Sequence, residues 1–367
     1  FSPDSRYLAS GSWDGTILIW DVSSGKGPDK TPVAKIAAQP DVLNVVFDQL
    51  PDGSPIVLSS GQNKDRGLDE ALVWRLVNGR PEGKGTRLSD FTVVNNFAYA
   101  SKTGYAVLMT PAPDKNCRKS PAGDAATVPR DSCIKAQVWN TANNQPVSEP
   151  FDFEVCKGCA KTTLPIALSD DGTRLATLSR SNQIGLWDLS QPGSPEQIAQ
   201  LAGHEDAVLA MRFHGDLLAS SSRNGEVLLW DVGDTAVAGT TVLSKQNNLP
   251  EMHPRTRLKA QTDWVRGLAF GREGKVLVST SGNNSIVWST GDEKLISTDM
   301  RAHEDEVWAL ALNSRTMLTG GKDGKLLLWN DPQSQAPQET VLEATAGKTT
   351  TLALNDAGTL VAGELGG

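Results

Sequence analysis

The sequence predicts an all-β chain built from repeats of one four-stranded antiparallel sheet, and three observations carry that expectation. Tryptophan recurs at positions 20, 74, 139, 187, 230, 288 and 329, each closing a short apolar run. The intervals are 54, 65, 48, 43, 58 and 41 residues. The shortest unit, near 41 to 43 residues, is long enough for four strands and their turns, with insertions elsewhere. Third, no segment sustains an apolar period of 3.6 residues, so helix is expected to be nearly absent.

The first unit shows the grammar that the others repeat. Ser2-Pro3-Asp4 is a turn leading into the strand Tyr7-Leu8-Ala9-Ser10. Asp14-Gly15 then reverses the chain, because glycine accepts positive φ without a steric penalty. Ile17-Leu18-Ile19-Trp20-Asp21 is the returning strand, with counterparts at Ile184-Gly185-Leu186-Trp187-Asp188, Val227-Leu228-Leu229-Trp230-Asp231 and Leu326-Leu327-Leu328-Trp329-Asn330. The early turn recurs at Ser169-Asp170-Asp171-Gly172 and the hairpin at Asp323-Gly324.

Seven such units make a seven-bladed β-propeller. The first lacks its innermost strand, and the C-terminal part offers a spare one, Thr350-Thr351-Leu352-Ala353-Leu354. Pairing it with the strand at 7–10 is expected to close the ring through the N- and C-terminal strands, leaving no exposed edge. Residues 359–364 then duplicate the strand at 6–11, and only one of the two fits that slot. The expected organisation is one domain over 1–367. It has insertions at about 111–133 and 239–257, and 356–367 begins further repeats or a linker. The chain opens on Phe1 without an apolar leader and stops inside a strand-like stretch, so a piece of a longer multidomain protein is expected.

Composition narrows the function. With 38% hydrophobic and 21% charged residues the chain is an ordinary globular one. No apolar run reaches the ~18 residues of a membrane span, so no membrane insertion is expected. Acidic residues outnumber basic ones by 43 to 35, for a net charge of −8, which argues against nucleic acid as the partner. Four cysteines do not make a disulfide scaffold.

These residues resemble the WD-repeat (WD40-type) β-propellers, in the style of prokaryotic repeats. The Trp-Asp closures at 20–21, 187–188 and 230–231 fit that family's signature. So do Gly203-His204 and Ala302-His303, each histidine 26 residues before a closing tryptophan. Units 1, 5 and 7 match closely, units 4 and 6 are recognisable, and units 2 and 3 lack both the histidine and the Asp-Gly turn.

Two groups look catalytic and are read otherwise. His303, Thr319, Asp323 and Trp329 in unit 7, and His204, Ser220, Asn224 and Trp230 in unit 5, contain a hydroxyl, an imidazole and an acid or amide. No Gly-x-Ser-x-Gly elbow accompanies them, and the set recurs in two blades. The family resemblance implies structural hydrogen-bond tetrads. Gly347-Lys348-Thr349 is half of a phosphate-binding loop, but Leu342 stands where the pattern needs glycine and the following residues are strand-like. No catalytic residue, no enzyme activity and no cofactor are therefore expected. His214 and His253 are expected to be solvated loop residues.

Cys117, Cys133, Cys156 and Cys159 flank the third unit's insertion and the next loop, with the last two spaced as Cys-Lys-Gly-Cys. They are expected to converge beside that blade as a structural zinc site, as one or two disulfides, or as free thiols.

Ten tryptophans less seven closers leave Trp13, Trp264 and Trp308. By the family's geometry they lie on one face of neighbouring blades, with Arg266, Glu306 and Lys322 close by. Such a cluster is expected to form a protein-binding patch, since tryptophan and arginine dominate binding hot spots. The alternative is that each ring packs flat on its own blade. The leading reading is a non-catalytic scaffold or sensor arm of a larger signalling protein, cytoplasmic, whose partner is another protein or another domain of its own chain. The alternative is a propeller sensing a small molecule or glycan at the channel mouth.

Overall fold

The computed structural model describes residues 1–12, 14–23, 31–38, 42–63, 68–88, 96–100, 102–111, 133–154, 164–179, 182–233, 243, 249–259, 261–271, 274–291, 298–313, 316–330, 332, 338–344, 348–354 and 360–365. Among them there is no α-helix. The fold is all-β, a seven-bladed propeller of mainly four-stranded antiparallel blades. It divides into two compact units, 1–202 with 239–252 and 203–238 with 253–367.

The first unit holds four blades. Blade 1 has only Tyr7–Gly11, Thr16–Asp21 and Ala34–Ala37. Blade 2 runs Val42–Gln49, Pro55–Asn63 and Leu68–Val77, with short Arg80–Pro81 and Thr86–Arg87 both on the last of these. Blade 3 runs Asn96–Ala100, Tyr105–Pro111 and Cys133–Asn140, against which Gln145–Pro146 and Phe151–Glu154 pair. Blade 4 is Ile166–Leu168, Arg174–Leu178, Ile184–Asp188 and Glu196–Leu201. Its outer strand also takes Glu251–Met252 in parallel, so the later insertion returns to this blade.

The second unit holds blade 5 (Val208–His214, Leu217–Ser222, Glu226–Asp231, Thr256–Lys259), blade 6 (Val265–Gly271, Val276–Ser281, Asn284–Ser289, Thr298–Met300) and blade 7 (Val307–Leu312, Thr316–Gly321, Lys325–Asn330, Gln338–Ala344). A two-stranded sheet, Lys348–Leu354 with Leu360–Leu365, follows. This corrects the expected closure. The spare inner strand takes its own C-terminal neighbour, pairing Leu352 with Ala362, and blade 1 remains three-stranded. The physical reason is loop length: a hairpin five residues apart closes at far less entropy cost than a pairing across the whole chain. The same strand begins at Lys348, which removes any helix from the half phosphate loop.

Blades form because apolar side chains of adjacent blades within a unit share one core. Ile17, Ile19, Val57 and Trp74 lie in one apolar cluster of the first unit, and Leu229, Leu258, Val265, Leu277 and Trp288 in one of the second. The turn chemistry follows the sequence. In two units a serine hydroxyl at the turn accepts from the strand amide beyond it, Tyr7 to Ser2 at 2.8 Å and Arg174 to Ser169 at 2.9 Å. Gly15 and Gly324 have φ of 83° and 75°, as their hairpins require.

Inner strands share one irregularity. Pairing with the second strand slips by one residue between Val208 and Ala210, Val265 and Gly267, and Val307 and Ala309. The bulged residues are Leu209, Arg266 and Trp308. A bulge re-aims the side chain it carries, and this one recurs at the start of the inner strand.

Candidate protein-binding surface

Six of the closing tryptophans are buried, and Trp20 is half-buried. In blade 7, Trp329 Nε1 donates to Thr319 Oγ1 at 3.0 Å, and that oxygen lies 2.9 Å from His303 Nε2. The indole can only donate, so the threonine oxygen accepts from it and keeps its proton and second lone pair for the bond with Nε2. Nδ1 faces both carboxylate oxygens of Asp323 at 3.1 Å. Burial pushes the Asp323 carboxyl up, but the amides of Glu304 and Lys325 and the His303 ring outweigh it and hold it below the usual range. Gly321 leaves the room this needs, since a Cβ there would lie 2.6 Å from His303 Nδ1.

Blade 5 differs at the fourth member. Trp230 donates to Ser220 Oγ at 2.8 Å, which lies 2.6 Å from His204 Nε2. Asn224 does not join: it accepts from Ser222 Oγ at 2.6 Å within its own turn. Glu226 stands in its place, with Oε2 3.5 Å from His204 Nδ1 and Oε1 ion-paired to Arg257. Arg257 also donates to Gly203 O at 3.0 Å. Blade 6 builds a related chain from Gln261, Ser279 and Trp288. Ser10 and Thr177 accept from Trp20 and Trp187 in blades 1 and 4. Each of these hydroxyls is spent on an indole, and Thr177, Ser220, Ser279 and Thr319 are fully buried.

Burial first, and then Arg257, lower the His204 pKa to about 3. Above pH ~6.5 the ring is neutral in both folded and unfolded chains, so this costs nothing. Below that value the unfolded chain takes up a proton that the folded one refuses. Stability should therefore fall by about 1.4 kcal/mol per pH unit as pH drops toward 3. His204→Gln, which copies the acceptor that Gln261 supplies in blade 6, should flatten that slope. Urea midpoints between pH 7 and 4 read the difference.

The remaining tryptophans behave otherwise. Trp264 and Trp308 are 42% and 38% exposed, among the few large apolar side chains that are. Trp264 ends the turn before Val265, where its amide donates to Asp263 Oδ1 at 2.7 Å. The same cap recurs at Asp206 with Ala207 and Asp305 with Glu306, each at the start of an inner strand. Trp264 and Glu306 are thus equivalent positions of adjacent blades, and so are Arg266 and Trp308, both bulged. Arg266 lies 4.6 Å over the Trp264 ring and Arg223 5.8 Å from it, both within cation–π reach. Trp308 Nε1 donates to Glu306 Oε2 at 2.9 Å. A cavity of about 180 Å³ lies between, lined by Asp263, Trp264, Arg266, Glu306, Val307 and Trp308 among others.

Two ion pairs flank it. Arg223 meets Asp206 at 3.0 Å and Lys322 meets Asp305 at 3.4 Å. The Arg223 hydrogen bond, then the Ala207 amide, lower the Asp206 pKa; the Glu306 amide and Lys322 do the same for Asp305. Lys322 therefore belongs to the flank rather than the cavity wall.

Trp13 lies outside the described residues, as do Cys117, Cys156 and Cys159. Cys133 opens a strand of blade 3 opposite Glu154. His253 is exposed, whereas His214 is half-buried with its ring 5.7 Å from Phe270, so it is not a solvated loop residue. Arg223, Asp263 and Glu226 were not singled out by the sequence. For Asp263 a signal existed, the repeated Asp two residues before the inner-strand valine. Among the described residues no helix is long and apolar enough to cross a membrane.

Comparison with known proteins agrees with the repeat grammar. The family described as WD domain, G-beta repeat, matches at residues 1–21, 195–231, 252–289 and 293–330. These are units 1, 5, 6 and 7. The chain is 27% identical over 201 residues to the 77 kDa echinoderm microtubule-associated protein of Lytechinus variegatus, covering 53% of this chain and 27% of that protein. It is 26% identical over 219 residues to human echinoderm microtubule-associated protein-like 2, covering 58% and 30%. It is 27% identical over 175 residues to the nuclear distribution protein nudF of Aspergillus terreus, covering 47% and 35%. The matched stretch thus spans about a third or less of these relatives. Among solved structures, the designed protein Ika8 superimposes with a TM-score of 0.65 at 17% identity, covering 98% of this chain and 91% of that one. The C-terminal WD40 domain of Sif2 does so with 0.64 at 12%, covering 98% and 90%. The closures, turns and tetrads thus belong to a β-propeller that carries WD repeats in units 1, 5, 6 and 7.

Proposed function

We propose that the chain is a non-catalytic scaffold or sensor arm that binds another protein, or another domain of its own chain, through the Trp264–Trp308 surface. The observation that carries this reading is a pair of exposed indoles on adjacent blades, each held by a charged neighbour. Rings fixed in advance lose little freedom on binding, and tryptophan beside arginine is the usual composition of a hot spot. Relatives named for association with microtubules fit an interaction role. The flanking charges are paired and of both signs, unlike the basic stripe that a nucleic acid backbone calls for.

A small molecule or glycan is the second reading, favoured by the cavity itself. Its volume of about 180 Å³ is small beside the ~300–1,000 Å³ of usual ligand pockets, which supports the first reading at this place. The space suits one inserted side chain. Peptides selected on the purified protein from a displayed random library test the reading. Trp264→Ala and Trp308→Ala should each weaken a selected peptide by ~2 kcal/mol, about 30-fold, with the unfolding midpoint unchanged. Peptides indifferent to both replacements would place binding elsewhere.

A further inference from the structure

We infer that the cavity between blades 6 and 7 receives a cationic side chain, arginine or lysine, from the bound partner. The inference rests on the proposed function and names the chemistry of that site.

The charge arithmetic of the lining favours a cation. Arg223 and Lys322 are taken by Asp206 and Asp305. Two carboxylates, Asp263 and Glu306, then face one guanidinium, Arg266, around the cavity. Arg266 itself lies over the Trp264 ring at 4.6 Å, which shows that this ring is a surface a guanidinium stacks on. Glu306 spends Oε2 on the Trp308 indole, which fixes carboxylate and ring as one rigid wall. Its Oε1 is left to accept from a ligand. An incoming arginine or lysine would lay its methylene stem along the Trp308 ring and bring its N–H donors to Glu306 and Asp263. Aromatic walls with an acid between them are a cation site, since the ring faces and the carboxylates attract the same charge. An aliphatic side chain would desolvate two carboxylates that have only Arg266 as a cation between them, which costs binding energy.

Indole N–H resonances of protein carrying ¹⁵N-labelled tryptophan, titrated with N-acetyl-arginine amide and N-acetyl-lysine amide, test this. Saturable shifts of the Trp264 and Trp308 signals are expected in the ~1–10 mM range of a single side chain. N-acetyl-norleucine amide should produce none. Glu306→Gln, which keeps an acceptor for the Trp308 N–H but removes the charge, should weaken the cationic probes at least ~5-fold. No saturable shift with either cationic probe would overturn the inference, as would equal or tighter binding of norleucine or of N-acetyl-glutamate amide. Library peptides that need Trp264 and Trp308 yet contain no basic residue would overturn it while sustaining the binding surface. Peptides indifferent to both tryptophans would instead remove the reading beneath it.

Discussion

Trp230→Ala is expected to destabilise the unit that contains blades 5 to 7 by ~3–5 kcal/mol. The ring is 1% exposed and lies 6.2 Å from His204. Truncation opens a cavity on that scale inside a blade packed against blade 6, where collapse is restricted. It also strands Ser220, which is fully buried and whose hydroxyl accepts from the indole and is hydrogen-bonded to His204 Nε2. Trp230→Phe separates the two effects: it keeps most of the volume and loses the indole donor, so ~1–3 kcal/mol is expected. Trp329→Ala should behave like Trp230→Ala. Chemical denaturation followed by far-ultraviolet circular dichroism measures all three. An unchanged midpoint for Trp230→Ala would show that the blade closure is not internal.

Arg257→Met should be nearly as costly, by ~3–5 kcal/mol, although the arginine is 42% exposed. The cost comes from the other partner. The Glu226 side chain is 1% exposed, with Arg257 on one oxygen and only the distant His204 Nδ1 near the second. Removing the guanidinium leaves a carboxylate in the blade with no cation. Arg257→Met combined with Glu226→Gln should recover more than half of the loss, because the buried charge is then gone as well. A double-mutant cycle on the denaturation midpoints reads the coupling directly. Additive losses would show that the two residues act independently.

Much of this fold is written in the repeat. The tryptophan closures, the Asp-Gly hairpins and the Ser-x-Asp turns are local chemistry, and each appears where the sequence puts it. The closure did not follow, because two segments of like pattern competed for one slot and the nearer one in sequence won. Trp264 and Trp308 stood out by subtraction from the closers. Their arrangement did not, since a bulge is a property of pairing register and Arg266 and Trp308 carry no mark of it. Asn224 sits 20 residues after His204, as Asp323 does after His303, yet the buried charge of Glu226 two residues on faces the ring instead. Gln261 escaped notice because it is an amide and stands 27 residues before its tryptophan rather than 26. Its hydrogen bonds, visible only in three dimensions, give it the histidine's place.

Hydroxyl-radical footprinting by mass spectrometry, with and without a library-selected peptide, tests the binding surface most directly. Trp264 and Trp308 should be oxidised readily in the free protein and protected in the complex. Trp230, Trp288 and Trp329, all buried, should stay unreactive in both. Trp264 and Trp308 that remain equally reactive when the peptide is bound, or that are already unreactive without it, would contradict the account.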